Sequence, residues 1–429
     1  MAKQNHSIVP DPSRFATTSA YRARTGKVSS AREPKRESGG LRVMDIQPQP
    51  HETNPPTTPV TPHPNARALR SPSNLIASIP GALGYFPNEA VVLINVYAPS
   101  ANTSTFDIGA YLEADVGNTE SIQRALQRIP LGRHVATFAV IVTRVPDSKM
   151  VAVAAEGLRM AADEFGEIIE ACWIVSEVAD GTHYQLLFGP DPDTAGAVWN
   201  WRAGYERGTV SSVARAEPMR PLIDHGALPE LHRSELFAHF EPVVAADVHA
   251  AELIAADAHQ HGATLMCCID DDPEVALARI RQACDVFKHA PNAGLIDSDG
   301  GLVIGEVFSS PRDIELLAAM LSRSTLRDCL IVDALARPYA AGAVFVTIAR
   351  NFSGTIRANA LCLWAMVAVS LGLNGWAGAA LTCAEDEVPR HNLSSLLANV
   401  IGIGQGQALL ELSRQGCLAT WEGLGGKAA

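Results

Sequence analysis

The spacing of apolar residues changes partway along the chain, and this change limits the possible folds most strongly. Three largely apolar runs, Ala90–Ile94, Val135–Val142 and Ala171–Val175, occur in the first half. Runs of this length without polar alternation predict strands that other elements cover on both faces. Further along, apolar residues recur every three or four positions, which indicates helices. The pattern predicts an α/β domain over residues 71–215, with a mixed sheet and flanking helices, and then a mainly α-helical domain over residues 216–425.

Further elements are predicted around these three strands. Thr105–Ala114 is expected to pair antiparallel with the first strand, and Ser121–Arg128 is expected to form a helix. Asp147 or Ser148 can cap the following helix, because either side chain can accept hydrogen bonds from its first backbone N–H groups. The predicted buried face of that helix consists of Val151, Ala154, Leu158, Ala161 and Phe165.

The helical half is marked by start signals and apolar stripes. Asp272 and Ser310 are each followed by proline, which favours the first position of a helix. The stripe after Asp272 consists of Ala276, Leu277, Ile280, Cys284 and Phe287. Further helices are predicted at about 355–372, 376–385, 393–400 and 407–414.

The N-terminal segment has a different composition from the rest. Residues 1–70 hold eleven Lys/Arg and five Asp/Glu, a net charge of +6, so the remaining 23 Lys/Arg and 41 Asp/Glu give residues 71–429 a net charge of −18. The segment is rich in Pro, Ser and Thr, lacks apolar periodicity and is predicted to be disordered. Order is expected to begin near Ser73, as the cap of a short helix Leu75–Leu83 that ends at Gly84.

Charge and composition also limit partners and location. The acidic body is expected to repel nucleic acid, so only the basic tail 1–70 could bind it. The eight cysteines are scattered and are predicted to be buried free thiols, and no secretory signal is evident, which indicates a cytoplasmic protein. Ala358–Ala384 carries no charged residue, but Gly372, Asn374 and Gly375 interrupt it, so a buried helical hairpin is expected and no membrane span.

Two motifs suggest chemistry that their context does not support. Gly402-Ile403-Gly404-Gln405-Gly406 resembles a phosphate-binding loop, but too few residues follow it for a strand–helix–strand unit, so a helix-to-helix turn is expected. His249, His259 and His261 are expected to be exposed residues near a helix end. Positions two apart on a helix diverge too far to share a metal.

Carboxylates and thiols give no catalytic or metal site either. Asp270–Asp272 is explained by the helix start at Pro273, and Asp297 with Asp299 lacks the remaining ligand pattern of a calcium loop. Cys267 and Cys268 lie in an apolar run that predicts burial. No catalytic residue, metal ligand or cofactor is therefore nominated, although residues distant in sequence could still assemble a triad in space.

Three segments carry a family resemblance. Leu75–Leu93 contains an apolar helix, Pro, Leu-Gly-aromatic and Pro before a buried strand, and it resembles the opening signature of an actinobacterial family, domain of unknown function 4192. Gly226–Phe240 and Ala358–Gly406 are similar to a second family segment and to its closing helical hairpin. The resemblance implies a cytoplasmic location and a two-part architecture, and it brings no established activity. The chain lacks the cysteines that many members have after the α/β half, which argues against a metal or redox role.

Five residues are candidate ligand or partner contacts. Tyr85 and Phe86 lie in a rigid turn before the first strand, Arg233 and Glu235 begin a helix, and Trp201 follows the α/β strands. A hydrophobic staple and a surface ion pair are the structural explanations for the two segments.

Two functions from different classes are compatible with this pattern. The leading hypothesis is a non-enzymatic binding or scaffold protein with a protein partner, in which the basic tail recruits an acidic molecule. The alternative is an enzyme, a hydrolase or transferase, with a small-molecule site between the α/β and helical domains near Tyr85, Arg233 and Trp201. A nucleic-acid regulator would instead require salt-sensitive binding through residues 1–70.

Overall fold

The computed structural model describes residues 68–98, 106–129, 134–161, 169–190, 201, 204–243, 248–293, 295–296 and 304–426. Almost all of the predicted tail, residues 1–70, lies outside these ranges, and so do Asp297 and Asp299. The side chains of residues 248–251 are also outside the description, which leaves the surroundings of His249 undescribed.

A six-stranded mixed sheet forms the N-terminal part of the described chain. Its strands are β1 Ala90–Tyr97, β2 Asp107–Asp115, β3 His134–Val142, β4 Ile169–Val175, β5 His183–Phe188 and β6 Arg207–Thr209. The spatial order is β2-β1-β3-β4-β5-β6, with β3 parallel to β4 and the other neighbours antiparallel. The predicted antiparallel neighbour of the first strand is confirmed as β2.

Apolar residues cover both faces of the central strands, which explains the continuous runs. On one face, Leu93 and Ile141 pack with helices α3 Thr119–Gln127 and α4 Lys149–Arg159. On the other face, Val92 and Val140 belong to the large core that the C-terminal helices complete. Each face receives every second residue, so a strand covered on both faces shows no polar alternation.

Helix starts follow the predicted capping residues in most places. Ser148 caps α4 through its hydroxyl, which accepts from Val151 N at 3.3 Å. Asn118 caps α3 in the same way and extends that helix beyond its predicted start.

The first helical segment differs from its prediction. Ser71, and not Ser73, caps α1 Pro72–Ala77, because Pro72 occupies the first helical position. A second helix, α2 Ile79–Leu83, follows after a break at Ser78. Pro80 has no N–H to continue the hydrogen-bond ladder, which accounts for the break. Gly84 ends α2 as predicted, with a positive φ of 83° that favours glycine.

The rest of the described chain is helical. Its helices are α5 Met219–Asp224, α6 Arg233–Ala238, α7 Val248–Asp271, α8 Pro273–His289, α9 Ile304–Val307, α10 Pro311–Leu321, α11 Ser324–Asp328, α12 Ile331–Ala336, α13 Pro338–Asn351, α14 Gly354–Ser370, α15 Asn374–Glu387, α16 Asn392–Gly402 and α17 Gly406–Gly423. The caps Asp272 and Ser310 are confirmed for α8 and α10, and the predicted stripe on α8 is buried.

The uncharged segment Ala358–Ala384 forms the predicted buried hairpin. Helix α14 is buried from Ile356 to Val369, and α15 packs beside it after a turn at Gly372, whose φ is 78°. No helix in the described part of the chain is long and apolar enough to cross a membrane. The glycine-rich motif joins α16 to α17, as expected for a turn between helices.

Two predictions about α7 are wrong. Cys267 is exposed, because it lies away from the helix face that buries Ala258 and Leu265. Five of the eight cysteines are buried, and Cys268 and Cys383 are half-buried. His259 and His261 lie well inside this 24-residue helix and not near its end, since the helix continues unbroken to Asp271. The α/β and helical parts share one core, and the boundary at 215/216 stays a prediction.

Candidate functional site

A half-buried carboxylate connects two of the predicted site residues. Glu113 lies on β2 opposite Val92, on the face that packs against the C-terminal helices. The hydroxyl of Tyr85 donates a hydrogen bond to Glu113 Oε2. Arg233 Nη1 lies 3.4 Å from the same oxygen. The side chain of Glu113 is 13% exposed and that of Arg233 is 57% exposed, so the glutamate anchors a largely solvent-facing cation.

Backbone pairing brings these distant residues together. Glu230 N donates to Gly84 O at 2.8 Å, and Phe86 N donates to Glu230 O at 2.9 Å. These two bonds align the turn before β1 with the segment that leads into α6. Arg233 is the first residue of α6, so its guanidinium is placed over β2 by the same pairing.

Glu235 has a structural role at the start of α6. Its carboxylate accepts from Leu231 N at 3.0 Å and from His232 N at 3.1 Å, which forms a capping box. The carboxylate therefore satisfies N–H groups that the helix cannot pair internally. The Glu235 carboxylate holds the backbone that carries Arg233, and the side chain of Arg233 stays exposed.

Burial dominates the electrostatics of the cluster. Burial raises the pKa of Glu113, although the hydrogen bond from Tyr85 and the charge of Arg233 both oppose this rise. Burial, followed by the charge of Glu113, also raises the pKa of Tyr85, so the phenol stays protonated and acts as a donor. The cluster can thus keep Arg233 in one orientation. Its glutamate, Glu113, can bind a proton at a pH above that at which a glutamate is ordinarily protonated.

The segment that carries Arg233 also exposes apolar residues. Leu228 and Leu231 are 70% and 68% exposed, and the guanidinium of Arg233 lies 5.2 Å from the ring centroid of the half-buried Phe237. We call Leu228, Leu231, Arg233 and Phe237 the Arg233 surface. It combines apolar side chains with a cation whose orientation two partners restrict, which is a combination found at protein interfaces.

The five predicted site residues do not all lie together. Tyr85 is buried, Phe86 is half-buried beside it, and Arg233 joins them through Glu113. Trp201 lies in the core, where its ring centroid is 5.0 Å from that of Phe138 and its indole N–H donates to Leu69 O at 2.7 Å. Trp201 therefore supports the sheet, and its role as a ligand contact stays a prediction.

Sequence reasoning missed Glu113, the residue that organises this cluster. The only sequence signal for Glu113 is the alternation of side chains between the two faces of β2. Glu113 is two residues from Tyr111, and both lie on the face of β2 that the helical half covers. A carboxylate on the covered face of a strand needs a nearby hydrogen-bond donor or cation, because it is removed from water.

Other polar groups in the described chain do not form an active site of a familiar kind. Cys362 Sγ lies 3.7 Å from His391 Nδ1, but burial raises the pKa of this thiol to about 12. A catalytic cysteine needs a lowered pKa, because the thiolate is the nucleophile. Among the described residues, no group of three or more His, Cys, Asp or Glu could hold a metal ion.

The raised pKa of Glu113 predicts a pH effect on stability. The folded state binds the Glu113 proton more tightly than the unfolded chain does, so this group's contribution to stability is complete below the ordinary pKa of 4.5. It is lost as pH rises through the folded pKa. We expect Glu113→Gln to gain stability relative to wild type between pH 4 and pH 7, measured by urea unfolding. A gain by wild type over this range would mean that the pKa of Glu113 in the folded state lies below its ordinary value.

Comparison with known families extends the resemblance found in the sequence. A family model described as a domain of unknown function (DUF4192) matches residues 72–406. This range includes the opening signature, the segment around Arg233 and the hairpin of α14 and α15. No match was found among curated proteins or among solved structures.

Proposed function

Because this match spans most of the chain, the protein belongs to the DUF4192 family, and we propose that it is a non-enzymatic binding protein that docks a protein partner on the Arg233 surface. The observation that supports the proposal is the half-exposed guanidinium that Glu113 orients, on a segment that also exposes Leu228 and Leu231. Arginine is enriched among the residues that supply most of the binding energy of protein interfaces, and covering exposed leucines removes apolar surface from water.

The chemistry of the surface defines the partner. The guanidinium of Arg233 contacts Glu113 through Nη1 and its side chain is 57% exposed, so N–H donors of the same group can bind a second carboxylate from solvent. The two leucines can cover an apolar side chain next to it. We therefore propose a partner segment that carries an acidic residue beside one or two apolar residues.

The basic tail can assist the same encounter. Residues 1–70 carry a net charge of +6 and the rest of the chain carries −18. An acidic partner would be repelled by the body and attracted by the tail, which would raise the association rate at low salt. In this proposal the tail recruits the partner and the Arg233 surface holds it.

Site-specific cross-linking tests the docking proposal. A photoreactive amino acid at Leu231 should give a defined cross-linked product in host cells, whereas the same probe at Leu412, which is 65% exposed on α17, should not. With the captured partner purified, we expect Arg233→Gln to weaken binding at least tenfold, about 1.4 kcal/mol, because it removes a charged bidentate donor.

Several results would contradict this proposal. Equal products from Leu231 and Leu412 would indicate non-specific contact, and an unchanged dissociation constant for Arg233→Gln would remove the surface from the interface. Deletion of residues 1–70 should slow association and leave dissociation nearly unchanged. Arg144→Gln is a matched control, since Arg144 forms an exposed ion pair with Glu177 at the end of the sheet.

The alternative of a hydrolase or transferase would use the protonated form of Glu113. The raised pKa of Glu113 is the observation that favours this second candidate, since a carboxylic acid that donates a proton near neutral pH needs a pKa above its ordinary value. The two candidates differ in what Glu113→Gln does. A catalytic role predicts loss of turnover with binding retained, whereas the docking role predicts a weaker partner complex because Arg233 loses its charged anchor.

A further inference from the structure

A cavity lies within the helical half of the chain and shares no lining residue with the Arg233 surface. It has a volume of about 650 Å³, within the size range of small-molecule sites. One wall comes from the end of α8 and the residues after it, and the other wall comes from the junction between α12 and α13. Its lining consists of Phe287, Lys288, Ala290, Asn292, Ala293, Ala336, Arg337, Pro338 and Tyr339.

The charge of this lining is unusual for the molecule. Two cations, Lys288 and Arg337, line the cavity, and the lining residues that the structure describes include no carboxylate. By contrast, residues 71–429 as a whole carry a net charge of −18. A concave site with one sign of charge concentrates ligands of the other sign.

Carboxylates one turn back position the two cations and do not line the cavity. Lys288 Nζ lies 2.5 Å from Asp285 Oδ1, and Arg337 Nη1 lies 3.8 Å from the buried Asp333 Oδ1. The longer distance leaves the Arg337 guanidinium with donors for another anion. Both cations are more than one-third exposed at the side chain, so a ligand can reach them.

The start of α13 adds favourable polarity. Arg337, Pro338 and Tyr339 are the N-cap and the first two residues of this 14-residue helix, and no side chain caps it. The first N–H groups of a helix lack intrahelical acceptors and favour a nearby anion. The first N–H groups of α13 therefore add to the attraction that Lys288 and Arg337 exert on an anion.

Hydrogen bonds hold the aromatic part of the wall in place. His225 Nε2 lies 3.2 Å from Leu371 O, which can only accept, so neutral His225 carries its proton on Nε2. Its Nδ1, 2.8 Å from Tyr339 Oη, then accepts from the phenol. These hydrogen bonds hold Tyr339, which lines the cavity together with the two cations, so this part of the site is preformed.

From these observations we propose that the cavity binds a small organic anion, with Lys288 and Arg337 on its carboxylate or phosphate group and Tyr339 against its body. The proposal is independent of partner docking on the Arg233 surface, because the two sites share no residue. Lysine and arginine bind both phosphate and carboxylate groups, so the experiment below uses ligands of both kinds.

Thermal unfolding of the full-length chain with three probes tests this site. The probes are inorganic phosphate, succinate and adenosine monophosphate, each titrated at constant ionic strength. We expect a saturable rise in Tm with at least one probe, because a ligand that binds only the folded state stabilises it. A response to phosphate and adenosine monophosphate identifies the phosphate group, and a response to succinate identifies the carboxylate.

Variants connect that response to the cavity. Lys288→Gln with Arg337→Gln should weaken binding of the responding probe at least tenfold, and Ala336→Trp should block the cavity without changing its charge. Arg144→Gln, which removes a comparable exposed arginine elsewhere, should bind as wild type does. The absence of a saturable response to all three probes, or an equal response in the double variant and wild type, would overturn the proposal. Blocking by Ala336→Trp with full binding in the double variant would overturn its anionic character.

Discussion

Replacement of Arg357 by Met is expected to lower the free energy of unfolding by about 3–5 kcal/mol, the usual cost of breaking a buried ion pair. Arg357 lies at the start of α14 with a side chain only 6% exposed. Its guanidinium donates to Ala349 O and to Phe240 O, the latter at 2.8 Å, and Nε lies 3.1 Å from Glu387 Oε2. The methionine would leave a largely buried carboxylate and two carbonyl groups without their cation.

Urea unfolding at pH 7 measures this loss. Arg144→Met is the matched control, because its ion pair with Glu177 is exposed on both sides and 3.7 Å long. Exposed pairs contribute about 0–1 kcal/mol. If the two variants lost similar stability, Arg357 would not connect the segment at Phe240 with α13, α14 and α15.

Substitution of Gly375 by Ala is expected to destabilise the protein by about 1–3 kcal/mol, the usual cost of overpacking. A Cβ atom at Gly375 would come within 3.0 Å of the backbone oxygens of Ala82 and Leu83. Backbone atoms cannot move aside as a flexible side-chain end can. The glycine thus permits the close approach of α15 to α2, just before the turn that carries Tyr85.

Gly378 on the same helix provides a control with the opposite sign. A Cβ atom at Gly378 would meet nothing within 4 Å. Alanine there should stabilise the protein by up to about 1 kcal/mol, because alanine loses less backbone entropy in a helix than glycine does. Differential scanning calorimetry of both variants measures whether each change in stability is a gain or a loss. Stabilisation by Gly375→Ala would contradict the close approach of α15 to α2.

Local patterns predicted most elements of the fold. The run Val135–Val142 matches β3 to within one residue, since a strand covered on both faces needs apolar side chains at every position. Asp272 and Ser310 were found as caps because proline after a capping residue is itself a local signal. Ser71 was missed in favour of Ser73, although Pro72 follows Ser71 and supplies the same local signal.

The short strands β5 and β6 were not predicted, because the rest of the protein covers them only in part. β5 is only partly covered and β6 has three residues, so neither carries a strong apolar period. The pairing of β5 with β4, and of β6 with β5, gives these strands their extended form. Sequence patterns are weakest where the sheet edge, and not burial, stabilises a strand.

The candidate site depended still more on tertiary contacts. Tyr85 and Arg233 were singled out from their local contexts, but Glu113, which joins them, was not. Arg357 and Arg337 also gave no sign of their roles, because an arginine at a helix start is usually exposed to solvent. Which charges meet is set by contacts between residues far apart in the chain, and no local period encodes such contacts.

The amino-acid sequence alone determined that strands come first and helices second, and where most of them begin. It could do so because burial on both faces leaves continuous apolar runs in strands, whereas burial on one face leaves a period of 3.6 residues in helices. Only the tertiary structure decided that the turn at Tyr85 meets α6 over Glu113, and that Lys288 and Arg337 face one cavity. These meetings depend on how whole elements pack, since the energy of a charge depends on neighbours that folding brings together.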